Sequence, residues 1–298
     1  MKYHSPVLLK ESIDGLNIKP DGVYVDVTFG GGGHSMEILN RLGNRGKLYA
    51  FDQDKDAQQN TIEDSRFTLI PQNFRFIKRF LRFYGIEKVD GILADLGVSS
   101  HQFDKADRGF STRFDADLDM RMNQEGELSA LEVVNNYTEE QLSSVLFQYG
   151  ELRNSRVLAK KIIEARAQNE IKTSFDLKHV LESFIPKAKE HKVLAQIFQA
   201  IRMEVNQEME VLKEFLLQVP QLLNQDGRIS VISYHSLEDR LVKRFIKNGQ
   251  FEGEPEKDFY GNVHVPLKKV GKMIVPTHKE IKENNRARSA KLRIAERT

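Results

Sequence analysis

The chain has 298 residues, of which 40% are hydrophobic and 30% are charged, and its formal net charge is +2. This length predicts one large domain or two smaller ones, either of which can bury a hydrophobic core. The absence of cysteine excludes disulfides, thiolate-bound zinc, iron–sulfur clusters and a cysteine nucleophile. The sequence also lacks tryptophan, so any stacking on a base must come from phenylalanine, tyrosine, histidine or arginine.

Positive charge is concentrated near the end of the sequence. Residues 268–298 contain ten Lys or Arg and three Glu, a net charge of +7, whereas the remainder has a net charge of −5. A basic segment on a slightly acidic body is typical of polyanion-binding proteins, although a solvated basic end explains the same pattern. No apolar run is long enough for a signal peptide or a membrane span, so we expect a cytoplasmic protein without a membrane partner.

The first hundred residues alternate between strand-like and helix-like segments. The pattern predicts strands at 23–28, 47–51, 67–70 and 89–95 and helices at 35–42 and 76–84. This alternation indicates right-handed βαβ units that form a parallel sheet.

Helical periodicity replaces the strand pattern from about residue 124 to 219, and a strand at 228–233 and a helix at 237–247 then follow. We therefore predict a discontinuous α/β domain, 1–107 and 212–298, that is interrupted by an all-helical insertion, 108–211. Residues 250–285 have little periodicity and predict loops, with a strand near 272–275.

A glycine-rich turn, Gly30–Gly33, follows the first predicted strand. Such a turn lets the backbone approach a ligand, and the helix after it offers unpaired N–H groups. A dinucleotide fingerprint requires Gly or Ala at position 35, where this sequence has Ser35, so the pattern favours the methyltransferase version of the turn. A glycine-rich loop without a ligand remains the alternative. Asp52 lies 19 residues after Gly33 at a strand end, where its carboxylate can accept hydrogen bonds from both hydroxyls of an adenosine ribose.

Three strands of the predicted sheet have an acidic residue at or near their carboxyl end: Asp26, Asp52 and Asp95. Ligands of open parallel sheets bind at the carboxyl ends of the strands, so we expect these side chains to face one crevice. Carboxylates at this position can hold an ammonium group or accept a proton from a substrate amine.

Two further segments carry candidate polar residues. Adjacent His235 and Ser236 do not readily form a nucleophile–base pair, and we predict a strand-to-helix loop with Ser236 as the helix cap. No pair of histidines has the spacing of a metal site, so no metal is predicted. The aromatic residues Phe76, Phe80 and Phe83 follow helical spacing, which favours burial against the sheet over contact with nucleic acid. The clustered Arg286, Arg288 and Lys291 are better candidates for contacts with phosphate.

Several sequence blocks along the chain together resemble the ribosomal RNA small subunit methyltransferase H family. They are His4-Ser5-Pro6-Val7-Leu8-Leu9, Thr28–Ser35, Asp95–Ser100, Arg108–Ser111 with Leu118–Met122, Ser233–Arg240, and Arg286–Ser289 with Leu292–Arg297. The resemblance covers nearly the whole chain.

That resemblance implies methylation of the N4 amine of one cytidine in the decoding region of 16S ribosomal RNA, with S-adenosylmethionine as the cofactor. It implies a Rossmann-like methyltransferase sheet with an inserted all-helical domain, which we expect to recognise the substrate. The small ribosomal subunit or its RNA would be the partner, and a homodimer is compatible with the resemblance. Carried over by position, the cofactor contacts fall on Gly32, Gly33, His34, Asp52, Phe74, Asp95 and Gln102. Phe74 would line the adenine pocket and would therefore not serve only as a core residue.

The catalytic assignment falls on Asp95, with His235 as a second candidate and Ser236 as a contact of the target nucleotide. Many amino-group methyltransferases of DNA have an acid or Asn followed by Pro-Pro-aromatic at the fourth strand, whereas this sequence has Asp95-Leu96-Gly97-Val98. Two other classes of protein are weighed against this function: a nicotinamide-dependent oxidoreductase, and a non-catalytic RNA-binding or assembly protein.

Overall fold

The computed structural model describes residues 6–253, 255, 259–260 and 265–298, so His4 and Ser5 of the first sequence block lie outside the described residues. The chain divides into two compact units. We call residues 1–97 and 209–298 the α/β unit and residues 98–208 the helical unit. These divisions follow Gly97 and Glu208, whereas the sequence pattern placed them after residues 107 and 211.

A seven-stranded sheet forms the centre of the α/β unit in the part of the chain that the structure describes. Its strands are β1 Val23–Asp26, β2 Lys47–Phe51, β3 Phe67–Ile70, β4 Val89–Asp95, β5 Leu223–Ser233, β6 Leu267–Ile274 and β7 Lys291–Arg297. The strand order is β3-β2-β1-β4-β5-β7-β6, in which β1 to β5 are parallel and β7 is antiparallel to both its neighbours. This arrangement confirms the predicted α/β fold with a Rossmann-like sheet.

Helices precede and follow the strands of the sheet. The helices are α1 Leu9–Leu16, α2 Gly33–Arg41, α3 Ile77–Phe83, α4 Ser100–Asp104, α5 Ala130–Asn136, α6 Glu139–Gln148, α7 Ser155–Arg166, α8 Ser174–Glu182, α9 Glu190–Val205, α10 Glu208–Leu222, α11 Ser236–Asn248 and α12 His278–Glu283. Helices cover both faces of the sheet, so side chains on either face of a strand reach a hydrophobic core. For this reason β1 and β4 are short, largely apolar runs without strict alternation. No helix among the described residues is long and apolar enough to cross a membrane.

The helical unit has a core of its own. Its buried residues come from α5 to α9 and from the segment that precedes α5, and they include Leu142, Leu158, Leu177 and Ile197. Helices α6 and α8 begin with capping boxes at Thr138 and Thr173, in which the threonine side chain accepts a hydrogen bond from the third backbone N–H of the helix.

The basic end of the chain is not a solvated tail. Residues 291–297 form β7, which lies between β5 and β6, and the side chains of Leu292, Ile294 and Ala295 are buried. The alternation of Lys291 and Arg293 with Leu292 and Ile294 is the period of a strand with one face on the core. The sequence-based prediction interpreted this segment by its high charge and therefore missed the strand.

The predicted burial of the aromatic residues around α3 is wrong at two positions. Ile77 and Leu81 provide the buried face of this helix, and Phe80 packs partly against the core. Phe76 is 42% exposed and Phe83 is 80% exposed. The helix is only seven residues long, and its two aliphatic residues are enough to fill the space against the sheet.

Candidate active site

Three acidic residues lie at the carboxyl edge of the parallel strands. Asp26 ends β1, Asp52 follows β2 directly, and Asp95 ends β4. Because β2, β1 and β4 are adjacent parallel strands, their ends meet at the same edge of the sheet. Asp26 is fully buried and accepts hydrogen bonds from the Ser35 hydroxyl and the Thr28 N–H, so the expectation that all three carboxylates face one crevice is wrong for Asp26.

The glycine-rich turn after β1 is held by hydrogen bonds to the strand ends. The Gly30 N–H donates to Asp52 Oδ2 at 2.8 Å, and the Gly32 N–H donates to the Phe29 carbonyl oxygen at 2.8 Å. Gly32 has a φ of +75°, a left-handed conformation that favours glycine. A Cβ at Gly33 would lie 2.3 Å from Pro6 Cγ, so this position also requires glycine. The turn therefore brings the start of α2 close to the sheet edge.

Asp52 is poised to accept further hydrogen bonds. Its Oδ2 accepts from the Gly30 N–H and its Oδ1 from the Asp54 N–H, both at 2.8 Å. Each carboxylate oxygen can accept two hydrogen bonds, so each retains capacity for a ligand hydroxyl. This geometry suits a ribose diol.

Asp95 is contacted by two side chains from other elements. The Tyr234 hydroxyl donates to Asp95 Oδ1 at 2.8 Å, and His34 Nδ1 lies 3.8 Å from Asp95 Oδ2. The other ring nitrogen of His34, Nε2, lies 3.2 Å from the Val7 carbonyl oxygen, which can only accept a hydrogen bond. In the neutral tautomer that donates to Val7, Nδ1 carries no proton. Asp95 Oδ2 then has no hydrogen-bond donor among the described residues and is open to one from a ligand.

Burial changes the acidity of this whole group of side chains. It raises the pKa of Asp26, Asp52 and Asp95 to about 6 each, and for Asp95 the neighbouring His34, when protonated, and the Tyr234 hydroxyl oppose that rise. Burial lowers the pKa of His34, so this ring is neutral at pH 7 and does not offset the carboxylates. Their negative charge favours a cationic ligand.

S-adenosylmethionine fits this set of hydrogen-bond acceptors. Its sulfonium and ammonium groups carry the positive charge that the buried carboxylates favour, and its ribose offers hydroxyls to Asp52. A nicotinamide dinucleotide would instead bring an anionic pyrophosphate to the same acidic edge.

The whole chain matches one family of methylases. The family model described as "MraW methylase family" matches residues 1–298. The chain belongs to the MraW methylase family. Proteins named ribosomal RNA small subunit methyltransferase H are similar to it in Flavobacterium johnsoniae (68% identity, 100% of this chain and 98% of the relative) and Christiangramia forsetii (67%, 99% and 98%). A protein of the same name from Parabacteroides distasonis is 57% identical over 99% of this chain and 97% of its own length.

Membership of the MraW methylase family confirms that the chain is a methyltransferase with S-adenosylmethionine as its cofactor. It also confirms the resemblance stated from the sequence blocks. The oxidoreductase and the non-catalytic assembly protein are thereby set aside.

Two of the predicted cofactor contacts come from segments other than the three acidic strand ends. Phe74 follows β3, whose neighbour in the sheet is β2, and its half-buried ring packs edge-on against Phe215 with the ring centres 5.3 Å apart. Gln102 is buried in α4 of the helical unit, where it forms a capping box with Ser99. Their contacts with the cofactor stay predictions.

The loop after β5 corrects one sequence-based prediction. The N-cap of α11 is His235, whose Nδ1 accepts from the Glu238 N–H at 3.4 Å, and Ser236 is the exposed first residue of the helix. Imidazole can cap a helix because one of its nitrogens carries a free lone pair. His235 and Ser236 thus lie next to Tyr234, which contacts Asp95.

The predicted RNA contacts have different surroundings. Arg286 and Arg288 belong to a 3-10 turn at Asn285–Ser289, and Arg288 is exposed. Lys291 begins β7 and lies 3.4 Å from Asp239, so part of its charge is already balanced within the fold.

Sequence reasoning missed the part that Tyr234 plays. The residue belongs to a block used for the family resemblance, but no role was assigned to it. It directly follows β5, the strand next to β4, so its position beside Asp95 follows from the strand order. Only that order, which the sequence alone does not reveal, could have identified it.

Proposed function

We propose that this methylase transfers a methyl group to the N4 amine of one cytidine in the decoding region of 16S ribosomal RNA. The observation that carries the proposal is the Asp95 carboxylate, which is fixed by Tyr234 at one oxygen and open to a ligand donor at the other. The names of the similar proteins support small-subunit ribosomal RNA as the substrate.

The chemistry of the amine explains why such a carboxylate is needed. The lone pair of a cytosine N4 amine is conjugated with the ring, so the amine is a poor nucleophile that must be oriented and must lose a proton. S-adenosylmethionine, when bound, supplies an electrophilic methyl group on its sulfonium. Asp95 Oδ2 would accept a hydrogen bond from the amine, which directs the nitrogen towards that methyl group. It would take up the amine proton as the new N–C bond forms and the bond from the methyl carbon to sulfur breaks, which leaves a neutral thioether.

The neighbours of Asp95 would keep this oxygen in position. The Tyr234 hydroxyl stabilises the ionised carboxylate and fixes its rotation, and the neutral ring of His34 lies near Oδ2 without donating to it. Because its pKa is about 6, Asp95 is ionised at pH 7 while remaining a stronger base than an exposed aspartate.

The composition supports an exocyclic amine over a ring carbon as the methylated atom. Methylation of cytosine at C5 generally begins with attack of a thiolate on the ring. The sequence contains no cysteine, whereas direct transfer to an amine needs no covalent intermediate.

The RNA contacts belong to the proposal as well. We place Ser236 and His235 beside the target nucleotide and Arg286, Arg288 and Lys291 against phosphates, and we assign substrate recognition to the helical segment predicted at 108–211. The proposed partner is the small ribosomal subunit or its RNA. A homodimer is compatible with this assignment.

Substitution of Asp95 tests the proposed role directly. We expect Asp95→Ala to reduce methyl transfer to small-subunit RNA by at least about a hundredfold, since both orientation and proton transfer are lost. Transfer of labelled methyl groups measures the rate, and calorimetry with S-adenosylmethionine measures cofactor binding in the same variant. Near-normal methylation and near-normal cofactor affinity would show that Asp95 has neither role.

A further inference from the structure

A groove with an unusual concentration of lysines lies between α11 and the edge of the sheet. It has a volume of about 360 Å³ and contains side chains of α11, β6 and β7. The positively charged residues that line it are Lys243, Lys247, Lys268, Lys269, Lys272 and Arg293. No acidic side chain lines it among the described residues. We call this feature the lysine groove.

The charges of the five lysines in the groove are not balanced by acidic side chains of the described residues. All five are exposed, and none of them forms an ion pair with the part of the chain that the structure describes. Arg293 differs, because its guanidinium donates to Asp239 Oδ1 at 2.7 Å and is largely buried. The free positive charge therefore comes from the lysines, while Arg293 forms part of a fixed wall.

Protection of the sheet edge explains only some of this charge. Strand β6 lies at the edge of the sheet, and lysines on an edge strand discourage pairing with other chains. Lys243 and Lys247 lie on α11 instead, four residues apart on one helix face, where like charges repel each other. An anion bound between this helix and the strand would offset that repulsion.

The floor of the groove is apolar. Ile246, Leu267 and Ile294 are buried beneath the lysines, and Val270 is half-buried. Pairing of β6 with β7 is interrupted between Val270 and Ile274, and Gly271 in this interval has a φ of +64°. Lys272 therefore lies in a bulge, where the edge strand β6 departs from regular pairing with β7.

We propose that the lysine groove binds the phosphate backbone of the RNA substrate, outside the methyl-transfer site. The inference rests on the proposed function, which makes RNA the substrate. Single-stranded nucleic acids bind in positively charged grooves that follow the backbone, and an apolar floor suits the faces of ribose and base. The groove thus supplies a sequence-independent share of the affinity for RNA.

Charge removal in the groove tests this proposal. We compare Lys243→Gln/Lys247→Gln/Lys269→Gln with the control Lys19→Gln/Lys47→Gln/Lys88→Gln, whose lysines lie where β1, β2 and β4 begin, at the opposite edge from the acidic strand ends. Binding of polyuridylate and of a transcript of the target region is measured over a range of salt concentrations. We expect the groove variant to bind both RNAs at least about tenfold more weakly at about 0.1 M salt, and its salt slope to fall by about 2, because three phosphate contacts are lost. The control variant should keep both values.

Additional variants separate the possible outcomes. Replacement of the same three groove lysines by arginine keeps the charge and should retain RNA binding, and thermal unfolding checks that each variant is folded. Equal RNA binding by the groove and control variants would overturn the proposal. Loss of binding to polyglutamate without loss of binding to RNA would also overturn it, because the groove would then take an acidic protein segment.

The proposed function fails independently of the groove. If the wild-type protein binds RNA through the groove but places no methyl group on cytidine N4 of small-subunit RNA, the assigned reaction is wrong and the docking surface stands. If methylation occurs and the groove variant binds RNA as the control does, only the docking surface is wrong.

Discussion

At the scale of single residues, the site depends on the Asp95 carboxylate, which has a hydrogen-bond donor at only one of its two oxygens among the described residues. The Tyr234 hydroxyl contacts Asp95 Oδ1, and the neutral ring of His34 lies near Oδ2 without donating to it. The sequence predicted Asp26, Asp52 and Asp95 at one edge because strand ends of a parallel sheet share an edge. It did not predict Tyr234, since that contact depends on β5 lying next to β4.

Removal of the Tyr234 hydroxyl tests its positioning role. A hydrogen bond to a charged group is worth about 1.5–3 kcal/mol, so we expect Tyr234→Phe to lower kcat by about 10- to 100-fold. Because this bond lowers the pKa of Asp95, its loss should also move the acidic limb of the pH–rate profile to higher pH. Tyr84→Phe, at an exposed tyrosine away from the site, is the matched control. An unchanged pH profile with a uniformly lower rate would indicate a merely structural role for Tyr234.

Cofactor binding should depend on pH through the same carboxylates. Burial raises the pKa of Asp95 to about 6 in the free protein, so this group loses its charge as the pH falls from 7 to 5. The cationic cofactor prefers the ionised form, and its affinity should therefore fall by about tenfold over this range for each carboxylate that must ionise. Calorimetry at several pH values measures the change, and Asp95→Asn should reduce it by the roughly tenfold share of one carboxylate. A constant wild-type affinity between pH 5 and 7 would contradict the charge assignment.

At the scale of secondary-structure elements, the spacing of apolar residues was sufficient to predict an element where the segment follows a single periodicity. The predicted bounds of β3 and β4 match the structure, because both are short apolar runs between turn residues. The end of the chain was interpreted by its charge, and its strand β7 was missed although Leu292 and Ile294 alternate with basic residues. Sequence alone could not place β7 between β5 and β6, since antiparallel insertion depends on contacts distant in the chain.

Burial of β7 can be tested by its effect on stability. Leu292 is fully buried and pairs with Ile232 of β5 and Ile274 of β6. We expect Leu292→Ala to lower the free energy of unfolding by about 2–5 kcal/mol, because it removes packed methyl groups and leaves a cavity. Leu217→Ala, at a residue that is 51% exposed in α10, should change stability by no more than about 0.5 kcal/mol. Urea titrations of both variants provide the comparison, and equal midpoints would contradict the burial of Leu292 in the core.

At the scale of the whole molecule, a net charge of +2 averages over regions of opposite charge. Buried carboxylates at one edge of the sheet favour a cationic cofactor, while free lysines at α11 and β6 favour a polyanion. An enzyme that brings S-adenosylmethionine to RNA needs both, because the two ligands carry opposite charge where they contact the protein. The sequence predicted a basic end, but only the structure shows that lysines of α11 share a groove with it.

Mass spectrometric mapping of ribosomal nucleosides after deletion of this gene tests the central claim most directly. The proposed function predicts that N4-methylation of one cytidine in the decoding region of 16S ribosomal RNA disappears, that the wild-type gene restores it, and that a gene with Asp95→Ala does not. If N4-methylation persists after the deletion, or if the modification lost is on a ring carbon or a ribose, the assigned reaction is wrong.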